Sequence, residues 1–566
     1  MFSALKNSFD DRISSASIQG DINAGLTVGV IALPLSMALA IAVDVPPQHG
    51  LYTAMIAGIL IALIGGSRVN ISGPTAAFVV VLLPIVHQYG LGGLLISGFI
   101  AGAILVIMGL SKMGNLIEII PYPVVIGFTA GIGVVIATFQ LKDFFGLEIA
   151  SLDGHFFDKV WLIIQSLPTL NWQETLIGSI TLLVLILWPK LHSKIPGHLI
   201  ALLFGTLIAT GLNVSMIGFE VETIGSRFQF EIDGLLGQGI PPILPSFEWP
   251  WNLPDASGNP IGMSFELFRT LLPAALTIAI LGSLESLLCA VVADGMTGKK
   301  HDSNDELIGQ GIGNMIIPFF GAIPATAAIA RTAASVKAGA NTPLASVIHG
   351  LFILLSIIIF APFLSYIPMA AMAALLLMVA WNMSESHHFI HILKRAPRGD
   401  ILVLLTCFFL TVLFDMTIAV AIGMAMAASL FIRRSIDLTT NDQVTHPEHH
   451  PEKLPPEIAV YDINGPLFFG TAQKAMNQLT AISPQVEVVV LDMEEVSMID
   501  MSAIVAMETI LDSFAKHNIS IVISSLQPRL LLKLRKAGLR KRIGKIEFTN
   551  DYQKALSRAQ EICGSV

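Results

Sequence analysis

Runs of apolar residues long enough to form helices recur from Ile22 to Ile432 and then stop. Twelve of them read as helices over roughly 22–42, 52–66, 91–110, 122–141, 175–189, 198–213, 270–293, 307–320, 344–361, 367–381, 400–414 and 416–432. Several fall short of the ~20 residues that cross ~30 Å of hydrocarbon. Two further segments, 73–88 and 325–338, are apolar but open with Gly, Pro or small residues, and as broken helices they bring the total to fourteen elements. Composition excludes the alternatives. Only 13% of the residues are charged and 54% are hydrophobic, where soluble domains carry about a quarter charged residues. A polytopic α-helical membrane protein is what remains.

Charge placement orients it. With the N-terminus inside, the inner loops hold Arg68, Lys112, Lys190, Lys194, Lys299, Lys300, Lys394, Arg395, Arg398, Arg433 and Arg434. The long outer loop from about 214 to 268 carries seven acids against Arg227. Lys and Arg favour the cytoplasmic side, so both termini are expected there. The first twenty residues are polar and lack an apolar signal core, so no cleavable leader is expected. Net charge −9 gives no reason to expect a nucleic-acid partner. Cys289, Cys407 and Cys563 suggest neither a disulfide framework nor a zinc site.

After a polar stretch the sequence changes character. Ile458–Ile463, Val486–Leu491 and Ile519–Ser524 are short and rich in Val and Ile, as strands are. Amphipathic helical patterns follow around Ala472–Ala481, Ser502–Lys516 and Arg529–Ala537. Such alternation predicts a cytoplasmic α/β module. The expected organisation is an N-terminal segment 1–20, a transport domain 21–435, a linker 436–456 and a soluble domain 457–566.

The most informative chemistry is a repeated break. Ser72-Gly73-Pro74-Thr75-Ala76-Ala77 in the first half is matched by Ile323-Pro324-Ala325-Thr326-Ala327-Ala328 in the second. Both place Pro just ahead of Thr-Ala-Ala, and Pro suits the first turn of a helix. Interrupted segments at corresponding positions of two halves point to a transporter site at the bilayer midplane. Two helix N-termini meeting there offer partial positive charge and free N–H groups, which suits an anion. Glu285 is the clearest intramembrane acid, costly at that depth unless paired, hydrated or protonated. It is therefore a candidate coupling group for a proton or another cation. Arg331, seven residues past Pro324, is expected two turns into the second half-helix, either at the anion site, paired with Glu285, or facing the cytoplasm.

Other polar features carry less. Asp415 reads as a turn residue. His387 and His391 have the i, i+4 spacing of a metal pair but sit beside Lys394 and Arg395, as on a solvated face. His446, His449 and His450 read as linker. No hydrolytic triad, phosphate loop or paired carboxylates occur, so neither an enzyme nor a bound cofactor or metal is expected.

Several runs resemble the sulfate permease (SulP, solute carrier 26) family of anion transporters. They are Leu33-Pro34, Val45-Pro46-Pro47-Gln48-His49-Gly50-Leu51-Tyr52, Ser72-Gly73-Pro74-Thr75, Glu285-Ser-Leu-Leu, His301 through Asn314, and Arg331-Thr332. The soluble module resembles the family's STAS domain. The resemblance implies a seven-plus-seven inverted repeat, with a core of elements one to four and eight to eleven moving as an elevator against a gate. It also implies a dimer and a possible cytoplasmic partner for the STAS domain. Substrate would meet Thr75, Ala328, Ile329, Ala330 and Arg331, while Glu285, with Cys289 one turn on, matches the coupling position for a proton or sodium. Leu35 and Leu39 replace a glutamine and an aromatic found in many members, leaving a less polar wall. Cys289 replaces a threonine of the sodium-coupled bicarbonate branch, and a thiol is a poor sodium ligand. Pro34-Leu-Ser-Met-Ala-Leu-Ala, Leu375 through Glu385 and Gly465-Pro-Leu-Phe-Phe469 are similar to the family's enterobacterial C4-dicarboxylate transporters, implying succinate, fumarate or aspartate as substrate. Bicarbonate or sulfate is the alternative, and a channel or uncoupled exchanger the alternative mechanism. Ser502, in Asp500-Met501-Ser502-Ala503, stands where phosphorylatable STAS proteins carry their serine.

Overall fold

The apolar runs fold as helices, and their ends fall where backbone chemistry rather than hydropathy places them. A computed structural model describes residues 2–10, 15–117, 120–149, 154, 156–191, 195–232, 235–414, 416–438, 441–443, 454–468, 485–539 and 545–564. The chain divides into two units, Met1–Met424 and Ala425–Val566.

In the first unit the principal elements begin with α1 (Ser15–Ala42), α2 (Pro47–Ile64), β1 (Ser72–Gly73), α3 (Ala76–Leu110), α4 (Tyr122–Phe145), α5 (Trp172–Leu187) and α6 (Gly197–Ser215). A hairpin of β2 (Gln229–Ile232) and β3 (Leu235–Gln238) precedes α7 (Phe265–Thr297), α8 (Ser303–Ile316), β4 (Thr326–Ala327) and α9 (Ile329–Lys337). α10 (Leu344–Leu364), α11 (Met369–Met383), α12 (Ser386–Arg395) and α13 (Arg398–Leu413) follow, and α14 (Met416–Leu438) begins in this unit and continues into the second. Among the described residues, nine helices are long and apolar enough to cross a membrane.

The boundaries differ from expectation for local reasons. α2 begins at Pro47, five residues earlier than its apolar run, because Pro is favourable at a first helical position. The predicted segments 73–88 and 91–110 form one element, α3, broken at Gly90 with φ +67°. The acidic loop after α6 is not featureless. Besides the hairpin, Phe247, Trp249 and Trp251 pack on Phe319 with ring centroids 5.6, 5.5 and 6.3 Å away. Arg227 of the same loop donates to Asp143 at 2.9 Å and pairs with Glu222. Asp415, His446, His449 and His450 lie outside the described residues.

α3 and α8 touch through glycines. A Cβ on Gly102 would lie 2.6 Å from the Gly311 carbonyl, and one on Gly311 would lie 2.7 Å from that of Gly102. Small residues let spanning helices approach this closely, and the close approach supplies the packing that lipid cannot. Gly102→Leu should cost at least the ~1–3 kcal/mol typical of overpacking, read as a lower melting temperature in detergent and poorer yield of folded protein.

The second unit holds a five-stranded sheet in the order β5 (Asn441–Gln443), β6 (Ile458–Ile463), β7 (Val488–Asp492), β8 (Ser520–Ser524) and β9 (Ile546–Phe548). β5 runs antiparallel to β6, and the remaining pairs are parallel. Alternate residues face opposite ways. Ala459, Tyr461, Val489, Leu491, Ile521 and Ile523 meet α15 (Met501–Lys516) and α16 (Pro528–Lys536), while Ile458, Val460, Val488, Val490 and Val522 meet α17 (Tyr552–Gly564). The three predicted strands are present, but β5 falls within the segment read as linker, and β9 was not anticipated. The helical pattern around Ala472–Ala481 lies outside the described residues.

Candidate functional site

The two broken segments cross. β1 pairs antiparallel with β4, with Ser72 opposite Ala327 and Gly73 opposite Thr326. The Ala328 N–H continues the ladder to the Ile71 carbonyl at 3.0 Å. Helix α3 starts after Thr75 and helix α9 after Ala328, neither with a side-chain cap at its N-terminus. Their free N–H groups are therefore available to an anion. This corrects the reading of both prolines as first-turn residues. Pro74 lies two residues before α3, separated from it by the extended Thr75, and Pro324 lies five before α9, with β4 between them.

Thr75 is buried, and its hydroxyl donates to Glu285 Oε2 at 2.8 Å. Glu285 is half-buried on α7 and within electrostatic reach of Arg331. Arg331 sits in the first turn of α9 rather than two turns in, and is only 2% exposed. One Nη donates to the Pro74 carbonyl, while Nε and the other Nη have no hydrogen-bond partner. A Cβ on Gly73 would fall 2.6 Å from that second Nη, so glycine leaves the guanidinium its space. Ile329 and Ala330 are exposed at the mouth of α9, Ile329 by 41%. The fold thus gathers Thr75, Ala328 and Arg331 around the crossing, with Glu285 bonded to its edge.

Cys289 lies behind that edge. Its thiol donates to Thr332 Oγ1 at 3.2 Å, and Thr332 Oγ1 also accepts from the Ile71 N–H at 2.9 Å. Elsewhere, Ser502 is exposed in the first turn of α15, whose N-terminus is capped by the Asp500 carboxylate accepting from the Ala503 N–H at 2.8 Å. His387 and His391 line an open cavity with Tyr122 and His388, and Tyr122 Oη lies 2.6 Å from His388 Nδ1.

Residue-by-residue reading missed what holds the crossing in place. Glu306, Gln310 and Asn314 fall at i, i+4 and i+8 and form one buried stripe on α8. Glu306 accepts from the Gly66 and Ser67 N–H groups at 3.0 and 2.9 Å and from Asn70 Nδ2 at 3.0 Å. Gln310 Nε2 donates to Ser72 Oγ at 2.9 Å. Asn314 accepts from the Ala325 N–H and donates to the Ala325 carbonyl, both at 2.8 Å, filling the place a neighbouring strand would take. The four-residue spacing of this polar stripe, inside an otherwise apolar stretch, was the available signal. Asn314→Ala leaves two buried backbone groups unpaired at about 1–3 kcal/mol each. Transport should fall at least tenfold in proteoliposomes, with a lowered melting temperature that Asn314→Asp restores in part.

Comparison with known proteins agrees with this architecture. Residues 18–407 match the model of the Sulfate permease family, and residues 452–555 match the STAS domain. A putative sulfate transporter of Bacillus subtilis, YvdB, is 43% identical over 94% of this chain and 96% of its own length. The bicarbonate transporter BicA of Picosynechococcus is 29% identical over 97% of this chain and 96% of its own. The murine anion transporter Slc26a9 in its inward-facing state has the same fold, with a TM-score of 0.85 at 18% identity over 99% of this chain and 94% of that one. The chain belongs to the sulfate permease family and is a multi-pass membrane anion transporter with a C-terminal STAS domain.

Proposed function

We propose that this chain couples proton entry to the uptake of a small anion with two carboxylates, in first place a C4-dicarboxylate such as succinate, fumarate or aspartate. The observation that carries the coupling is the hydrogen bond from Thr75 to Glu285. It joins the start of one half-helix to the intramembrane acid, so a change in the charge of Glu285 is felt where the anion binds. The unpartnered Arg331 nitrogens beside two helix N-termini favour an anion over a neutral or cationic substrate. The preference for a dicarboxylate rests on the likeness of three segments to the C4-dicarboxylate branch. Cys289 in place of a threonine favours a proton over sodium.

In this reading elements one to four and eight to eleven of the fourteen read from the sequence, here α1–α3 and α7–α10, move as a core against the gate, in a dimer with both termini in the cytoplasm of a bacterial cell. The transport domain would span 21–435 and the STAS domain 457–566. Sulfate is the second reading, supported by the name of the 43% identical relative; sodium-coupled bicarbonate transport follows it. Uptake of labelled succinate into proteoliposomes with an inside-alkaline gradient, with sulfate and bicarbonate as competitors, tests the choice. Gradient-driven succinate accumulation supports the proposal. Sulfate uptake that excess succinate leaves untouched overturns the substrate assignment and keeps the anion site.

A further inference from the structure

The α/β unit carries a concentrated run of positive charge. From Arg529 to Lys545 stand eight Lys and Arg and no acid, a quarter of the 32 in a chain whose net charge is −9. Helix α16 gathers half of them on one side. Leu530 and Leu534, four apart, are buried in the core of the unit, which turns Arg529, Lys533, Arg535 and Lys536 to solvent. Lys545 is exposed as well. Arg529 donates to Gln527 Oε1 at 2.9 Å and to the Ser497 carbonyl at 3.3 Å, and Lys533 donates to the Ile499 carbonyl at 3.4 Å. All three acceptors are neutral. Ion pairs form elsewhere in the unit, around α17, where Lys554 meets Asp551 and Arg558 meets Glu547 and Glu561. Among the described residues no carboxylate pairs with the cations of α16.

The face is not purely ionic. Leu532 lies between Arg535 and Lys536 around the helix and is 57% exposed. The two carbonyls that Arg529 and Lys533 hold flank Met498, which is exposed, and Met501 just beyond them is exposed too. β5 begins three residues after α14, the last apolar helix of the series, ends. So short a tether presents this unit to the bilayer at high local concentration. We propose that this face docks on an anionic phospholipid surface. The cations meet phosphate headgroups, each giving roughly a fivefold gain in binding, while Leu532, Met498 and Met501 enter the edge of the acyl layer.

Hydrogen exchange of the full chain in nanodiscs tests the docking without any transported substrate. Residues 496–502 and 528–539 should exchange more slowly in phosphatidylglycerol mixed with phosphatidylcholine than in phosphatidylcholine alone. Salt at about 0.5 M should remove the difference. Arg535→Gln with Lys536→Gln removes two cations that brace nothing in the fold, and should weaken docking roughly twenty-five-fold at an unchanged melting temperature. Arg535→Lys with Lys536→Arg keeps the charge and should keep the protection, which separates lost charge from lost folding. Equal exchange in both lipids overturns the proposal and leaves the face to an acidic protein. Protection that appears in phosphatidylcholine alone and grows with protein concentration overturns it in favour of a second copy of the chain.

Discussion

Glu285→Gln should abolish accumulation driven by a pH gradient while leaving substrate exchange largely intact. Glutamine keeps the size of the side chain and an oxygen to accept from Thr75, but it cannot carry a proton in and release it. A gradient of one pH unit supplies about 1.4 kcal/mol per proton, enough for roughly tenfold accumulation. In the variant the internal concentration should rise only to that outside, whatever the gradient. Counterflow of labelled against unlabelled substrate, which needs no net proton movement, should stay within a few fold of wild type. Undiminished gradient-driven uptake would remove Glu285 from the coupling step. Loss of counterflow as well would recast Glu285 as a structural carboxyl that braces Thr75.

Arg331→Gln should weaken anion binding by about ten- to a hundredfold, the range expected when a charged hydrogen bond of ~1.5–3 kcal/mol is lost. The effect should appear in KM rather than in maximal rate. Arg331→Lys is not a rescue, because an ammonium cannot hold the Pro74 carbonyl with one arm and offer two further N–H groups in the same plane. Isothermal titration of the purified protein with succinate and with sulfate reads the loss directly. Unchanged affinity would confine Arg331 to bracing Pro74, and the anion would then rest on the helix N-termini alone.

The positions of both residues show how far a one-dimensional reading reaches. Glu285 stood out because an acid inside an apolar run has a known cost, whatever surrounds it. The paired breaks at Pro74 and Pro324 were equally visible, because interrupted apolar segments are a local feature. Arg331 was harder. Counting from Pro324 placed it two turns into a helix, whereas two extended residues at β4 delay the helix and leave it in the first turn. Nothing local announces a two-residue strand, because it exists only through its partner 255 residues away, where Ser72 meets Ala327. The same holds for Asn314, whose amide completes a strand that its own helix gives no reason to expect, and for Thr75, legible as a candidate but not as the donor to Glu285.

The sequence by itself determined the membrane class, the helical runs, the α/β character of the soluble unit and the matched breaks. Each depends on short-range periodicity and on the cost of burying charge. Only the tertiary structure decided where the two half-helices begin, which nitrogens of Arg331 are left free, and that Glu306, Gln310 and Asn314 hold the crossing. Most of those outcomes require residues hundreds of positions apart to satisfy one another's buried hydrogen-bonding groups, and even Asn314, which reaches Ala325 only 11 residues on, does so across a break that local periodicity does not show.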